Sequence, residues 1–536
     1  MSDMTGSALS RRSFVKAAGA AAGMGAATAL LSKLGISGGD ASFAYAADGG
    51  KTFTYAIAGE PSVSPNVVTT SDRFGLMTLK LVYSPLWMYN ADGINYFLAE
   101  SYDESDDHLT LTVHLRQGVT WNDGEPFTAD DVVFSYEAAE NDPEANQYSQ
   151  LVYDEGKVEV TKVDDNTVDF KFPFVSADAA EMISQFFIMP KHLYEGVTDW
   201  ENNDVNAKGV GTGPYKLDEY ATGQYLSFSA NESYFLGKPN IDRVVFQVIT
   251  NENTGMQAIQ AGEVNAWIGT PTEIQQMSIE ANGLTVTPYG EGRVAYLAIN
   301  CKRVTDENVR KAILFSFDKK AIADAALLSD EYYDLEYTFL PTTSQFYAPD
   351  AVEKYERDID KAKQLLADAG QTNPSFTIAY DSGNTLTETD ALMMQEQAAE
   401  AGITLNIQAI DPTALSNAMK DENNEYDMYF GGYIMGIDPS TFYSLFGVDQ
   451  AWNYMHYGDE YSQIDDLFNQ GSTETDPDKR KQIYSDVQKA IQDTGAFYPL
   501  YSNKRLLVTT SNVKNIEEAK LVPVYTFEDL SKLDMD

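Results

Sequence analysis

Apolar and polar residues alternate with a period of two over Leu109–Leu115 (LTLTVHL), and over Lys51–Ala58, Val158–Val163 and Thr167–Phe172. That period predicts strands with one buried face. Asp164-Asp165-Asn166 joins the last two as a hairpin, and Gly118 and Asn122-Asp123-Gly124 are turns. Helical spacing over Arg73–Leu81 places Phe74, Met77 and Leu81 on one face, and Pro85 stops the segment. Thr128 is the expected N-cap of a helix from Ala129 to about Glu140, with Asp131 completing a capping box. Caps and turns also account for Asp123, Asp130 and Asp131, which are not taken as catalytic carboxylates.

Further along, Tyr215–Tyr220 and Gln224–Ser229 alternate around Thr222-Gly223, a second hairpin, and Arg243–Ile249 (RVVFQVI) is a β-branched run suited to a buried strand. Just before them, Gly211-Thr-Gly213-Pro214-Tyr215 combines an extended backbone with two residues that let it approach a neighbouring element. Asn253–Gly262 is a helix closed by glycine, and Glu263–Ile268 the strand after it. Ligands bind at the carboxyl ends of such strands, which puts Trp267 beside a cleft or in the core. Beyond Arg293–Asn300 (RVAYLAIN), helices over Asp306–Phe317, Lys319–Leu328, Ile359–Ala369 and Glu388–Ala401 alternate with strands over Phe376–Tyr380 and Ile403–Ala409. This alternation predicts a second, separate parallel α/β sheet.

At 536 residues the chain exceeds a single core, and 43% hydrophobic residues can fill several. The net charge is −44, and removing residues 1–46 makes it −46. Such a surface excludes nucleic acid and anionic membranes as partners, and leaves only a mild bias toward cationic solutes. The single cysteine, Cys301, excludes an internal disulfide and a cysteine zinc site. His108, His114, His192 and His456 have no metal-binding spacing, and there is no phosphate-binding loop, nucleophile elbow or dinucleotide fingerprint. No catalytic residue, metal or cofactor is therefore expected. Ser10-Arg11-Arg12-Ser13-Phe14 before the uncharged Ala17–Leu31 is a twin-arginine export signal, too short to span a bilayer. Ala44-Tyr45-Ala46 fits a cleavage site with Ala47 as the mature start. No lipoprotein cysteine follows it, so the protein is expected in the periplasm or at the outer face of the cytoplasmic membrane.

Three fragments in order carry a family resemblance: Leu115–Tyr136 (LRQGVTWNDGEPFTADDVVFSY), Val210–Tyr215 (VGTGPY) and Asn231–Pro239 (NESYFLGKP). Together they resemble the extracytoplasmic solute-binding proteins of ABC importers, family 5, the oligopeptide- and dipeptide-binding class, over the whole mature chain. The resemblance implies an α/β fold: a two-lobed, periplasmic-binding-protein-like clamshell (type II, cluster C) with an inserted extra domain. It implies lobe I from 47–82, 209–296 and 500–536, an inserted domain at 83–208, and lobe II from 297–499. It implies a monomer that captures oligopeptides by hinge closure and delivers them to permease subunits in the membrane. The ligand residues it suggests are Glu60, Trp267, Arg293, Asn300, Tyr433, Met435, Asp438 and Trp452. In peptide-binding relatives an aspartate three residues before the Asp-Pro pair holds the ligand's α-amino group, and here that position is Met435, with Asp438 or Glu60 as substitutes. An oligosaccharide, opine or small amine on the same fold is the alternative ligand. A secreted hydrolase is a remote alternative function.

Overall fold

The computed structural model describes residues 50–536 except 91–92, 154, 278, 280–281 and 435–437. The expected export segment and Met435 lie outside the described residues. Strand β1 (Thr52–Ile57) buries Phe53, Tyr55 and Ile57, the face expected from its alternation. Helix α1 (Arg73–Val82) begins at Asp72, whose carboxylate accepts from the N–H groups of Phe74 and Gly75. Strands β2 (Ala99–Glu104) and β3 (Thr110–Leu115) precede helix α2 (Ala129–Glu140), which carries the reciprocal Thr128–Asp131 capping box. With β4 (Glu159–Asp164) and β5 (Thr167–Lys171) they form a four-stranded antiparallel sheet in the order β2-β3-β5-β4.

The hairpin of β6 (Tyr215–Ala221) and β7 (Tyr225–Ala230) leads to β8 (Arg243–Val248), helix α3 (Glu252–Ala261) and β9 (Ala266–Gly269). Then comes β10, Leu284–Ile299, sixteen residues long. The C-terminal part runs through α4 (Glu307–Phe315), α5 (Lys319–Leu327), β11 (Tyr333–Leu335), α6 (Ile359–Asp368), β12 (Ser375–Asp381), α7 (Thr385–Glu400), β13 (Thr404–Ile410) and β14 (Met428–Tyr433). Helices α8 (Gln463–Thr473) and α9 (Pro477–Asp493) and the fourteen-residue β15 (Phe497–Thr510) complete the frame.

Two separate sheets were expected; the structure has one continuous eleven-stranded sheet, ordered β6-β7-β8-β1-β9-β15-β10-β14-β12-β13, with β11 on β15. The reason is length. Strands β10 and β15 each serve both ends, pairing Leu284–Gly290 with Lys504–Thr510 and Val294–Ala298 with Phe497–Ser502. Only the Arg293–Asn300 end of β10 shows in the apolar pattern, because Pro288, Gly290 and Gly292 interrupt the rest. The buried apolar residues nevertheless divide into two halves. One core joins β1, α1, the four-stranded sheet and β6–β8 to residues beyond 506, with a satellite core on β9 and α3. Two others lie wholly between Val294 and Tyr501, on opposite faces of the sheet.

That second half contains buried charge. Lys319 lies over the rings of Tyr337 and Tyr498, 4.4 and 4.7 Å from their centroids, and donates to the Glu336 carbonyl. Burial lowers its ammonium to about 7 and raises the Glu336 carboxyl to about 8. Asp390, on α7, accepts from the Tyr501 hydroxyl at 2.8 Å, and burial raises its carboxyl to about 7. A carboxyl raised on folding leaves stability intact at acid pH and removes it as pH climbs from about 4 through 7. Asp390→Asn keeps an acceptor for Tyr501 and removes the ionisation. It is expected to raise the thermal midpoint at pH 8, by up to about 4 kcal/mol in stability, and to match the wild type near pH 4. Melting curves at both pH values check this, and an equal shift at pH 4 would contradict it.

Candidate functional site

The register of the sheet locates the cleft. Strands β1 and β9 run parallel, and β9 ends at Gly269, opposite Leu506 of β15. Strands β14 and β12 also run parallel, and β14 ends at Tyr433, opposite Val294 of β10. Both sets of parallel strands therefore point their carboxyl ends at the same place, the crossing of β10 and β15 between the two halves. Pairing between those two strands shifts register between Gly290 and Val294, so the sheet passes from one half to the other at residues 290–293 and 502–505, the candidate hinge and cleft floor.

The floor is rich in cations. Glu291, nearly buried, accepts from Arg505 Nε at 2.5 Å and from Arg73 at the start of α1. Lys504 pairs with Asp334 at 3.0 Å. Arg293 is half-buried, and its guanidinium lies across Gly432 of β14, where a Cβ would sit 2.5 Å from Cζ. The neighbouring Gly431 receives the Tyr296 ring on the opposite face, whose Cζ and hydroxyl oxygen would clash with a Cβ there. The two adjacent glycines thus admit a side chain from β10 on each face of the sheet.

The other residues suggested by sequence fall in several places. Glu60, just past the end of β1, accepts from the Tyr220 hydroxyl at 3.1 Å and the Gly223 N–H at 2.6 Å, tying its loop to the β6–β7 turn. Trp267 packs in the β9 core against Gly255 and Gly269. Tyr433 stands at the hinge end of β14, its ring parallel to Phe497 and its hydroxyl donating to Phe339 O at 2.5 Å. Asn300 is fully buried at the opposite end of β10 from the hinge, its amide spent on Glu422 O and the Lys302 N–H. Trp452 is 47% exposed, on a loop whose Tyr454 carbonyl accepts from Tyr429, near the far end of β14. Arg293 and Tyr433 both stand at the crossing but on opposite faces of the sheet, Tyr433 with the Tyr296 ring, while Glu60 and Trp267 lie near the facing strand ends and Asn300 away from them.

Asp438 takes part in a bridge between the halves. Arg480 on α9 grips it with two bonds, 2.6 and 2.7 Å, and both side chains are more than nine-tenths buried. Asp438 also caps a short turn by accepting from the Ser440 N–H at 2.9 Å. The Ser440 hydroxyl donates to Asp178, in the loop after β5, at 2.8 Å, and Ala177 N–H donates to Ser472 O at 2.9 Å. Burial, then the nearby Asp438 carboxylate, raises the Asp178 carboxyl above its ordinary value. Asp178, Arg480, Glu291, Arg73 and Arg505 escaped sequence reasoning. The only local signal was Gly290 and Gly292 around Glu291; Arg480 sits in a helix whose pattern, PDKRKQIY, looks exposed.

Among the described residues, no group of three or more His, Cys, Asp or Glu side chains could hold a metal ion, and no helix is long and apolar enough to cross a membrane. A model of the bacterial extracellular solute-binding proteins, family 5, matches residues 93–454. The oligopeptide-binding protein AppA of Bacillus subtilis is 28% identical over 504 residues, which cover 88% of this chain and 90% of that protein. The ABC transporter substrate-binding protein CtaP of Listeria monocytogenes superposes with a TM-score of 0.85 at 35% identity, over 91% of this chain and 99% of that one. The Bacillus subtilis AppA structure in complex with a nonapeptide gives a TM-score of 0.69 at 26% identity, over 90% and 99% of the two chains.

Proposed function

Because the chain belongs to the bacterial extracellular solute-binding proteins of family 5, we propose that it is the substrate-binding component of an ABC importer and that its cargo is oligopeptides. The observation that carries the peptide assignment is the alignment with an oligopeptide-binding protein along nearly the whole of both chains. The mechanism is closure about residues 290–293 and 502–505. An open form admits the peptide, and contacts from both halves favour the closed one. The bonds from Asp178 to Ser440 and from Ala177 to Ser472 link the two halves away from the floor, and opening breaks them. The closed form then docks on permease subunits outside the cytoplasmic membrane, after export by the twin-arginine route.

Peptide capture that tolerates many sequences needs the backbone and termini held and the side chains left in roomy, wet pockets. The Asp438 carboxylate is held on both oxygens by Arg480, so it offers no free oxygen pair for a ligand ammonium. Native mass spectrometry of the exported protein, purified gently enough to retain cargo, tests the reading. A ladder of bound masses fitting mixed peptides is the expected result. A single non-peptide mass would replace peptides with another solute on the same fold.

A further inference from the structure

We propose that Arg293 selects the ligand by gripping a carboxylate, so that the cleft reads the acidic end of a peptide and not its amine. This rests on the peptide reading above. The chain has 81 acidic residues and 37 basic ones, and among the described arginines every one but Arg293 bonds a carboxylate or a carbonyl oxygen. At the floor, Arg73 and Arg505 share Glu291, and Lys504 has Asp334. Arg293 is the exception. It is half-buried, and among the described residues its guanidinium makes no hydrogen bond and no ion pair.

Its position is also built. Only a glycine at 432 lets the guanidinium lie against β14, and that holds it one residue from the carboxyl end of the strand at Tyr433. A guanidinium so held presents a planar fork of donors that matches a carboxylate in two parallel bonds, and it loses little side-chain freedom on binding. The carbonyl oxygens of a peptide satisfy such a fork poorly. A carboxylate satisfies its geometry and its charge together, and the surplus of cations at the floor favours an anion there.

The test measures binding of randomised pentapeptide pools to the full chain by calorimetry. One pool has free C-termini and lacks Asp and Glu, a second is the same pool amidated, and a third is amidated but contains Asp and Glu. The wild type is expected to bind the first pool at least about tenfold more tightly than the second. Arg293→Met should erase that ratio without changing the thermal midpoint, and Arg293→Lys should keep part of it. Preference for the third pool over the second would place the gripped carboxylate on a ligand side chain instead of the terminus. Equal wild-type affinity for all three pools overturns the proposal, as does an equal loss for all three in Arg293→Met. Failure of every pool to bind overturns the peptide reading itself, and the proposal with it.

Discussion

Arg480→Met is expected to destabilise the protein by about 3–5 kcal/mol, read from the midpoint of urea unfolding. The side chain makes two bonds to Asp438 and a third, from Nε at 2.8 Å, to Gly471 O. Its guanidinium carbon also lies 5.3 Å from the Phe346 ring centre and 5.2 Å from that of Tyr484. Methionine fills much of the space and keeps the ring contacts. It leaves the Asp438 carboxylate buried with no opposite charge, beside a second carboxyl, Asp178, already pushed up by burial and by Asp438. An uncompensated buried charge costs far more than the net worth of the pair that neutralised it. Adding Asp438→Asn should therefore recover a large part of the loss. If the double variant is no more stable than the single one, the loss comes from packing and the argument fails.

Gly211→Ala is the second large effect, a loss of about 3 kcal/mol or more. The segment Gly211–Gly213 runs against the end of α1, with Gly213 N–H donating to Val82 O at 2.8 Å and Asn122 N–H donating to Gly211 O at 3.0 Å. A Cβ on residue 211 would lie 2.7 Å from the carbonyl carbon of Val82 and deeper still into its oxygen, so backbone must move against backbone. Gly223→Ala is the control. Its φ is +73° and nothing lies within 4 Å of the added carbon, so only the left-handed conformation is penalised, about 1 kcal/mol. Thermal midpoints of the two variants should differ clearly. Equal losses would mean that close approach at 211 is not what selects glycine.

Much of the frame was legible in the sequence because local chemistry and the final fold agree there. The alternation at Lys51–Ala58 became Thr52–Ile57, the Thr128–Asp131 box caps Ala129–Glu140, and the hairpin around Gly223 stands as predicted. Helix spacing placed Arg73–Val82 and Ile359–Asp368 to within a residue. Where the chain does two things at once, local pattern failed. Strand β10 must serve both halves and turn at the hinge, so its first part carries Pro288, Gly290 and Gly292, which look like loop. The candidate site was legible only by residue type. Arg293 and Tyr433 could be named, but that Gly432 makes room for Arg293, and that Glu291 gathers cations from residues 73 and 505, are facts of strand pairing across hundreds of positions. Arg480 and Asp178 were invisible for the same reason, since neither has its partner within its own segment.

The continuous sheet also orders events during synthesis. The edge of β9 at Ala266–Gly269 and the first half of β10 both find their hydrogen-bond partners in residues 504–510, which leave the ribosome more than 200 residues later. Until then the N-terminal half has a gap between β9 and β10, while everything from Val294 to Tyr501 is strung between those two edges. A nascent chain stopped at residue 289 would present those bare edges to any neighbour, a template for aggregation rather than a stable lobe. The two halves are separate cores in space, but in time the first must wait for the second.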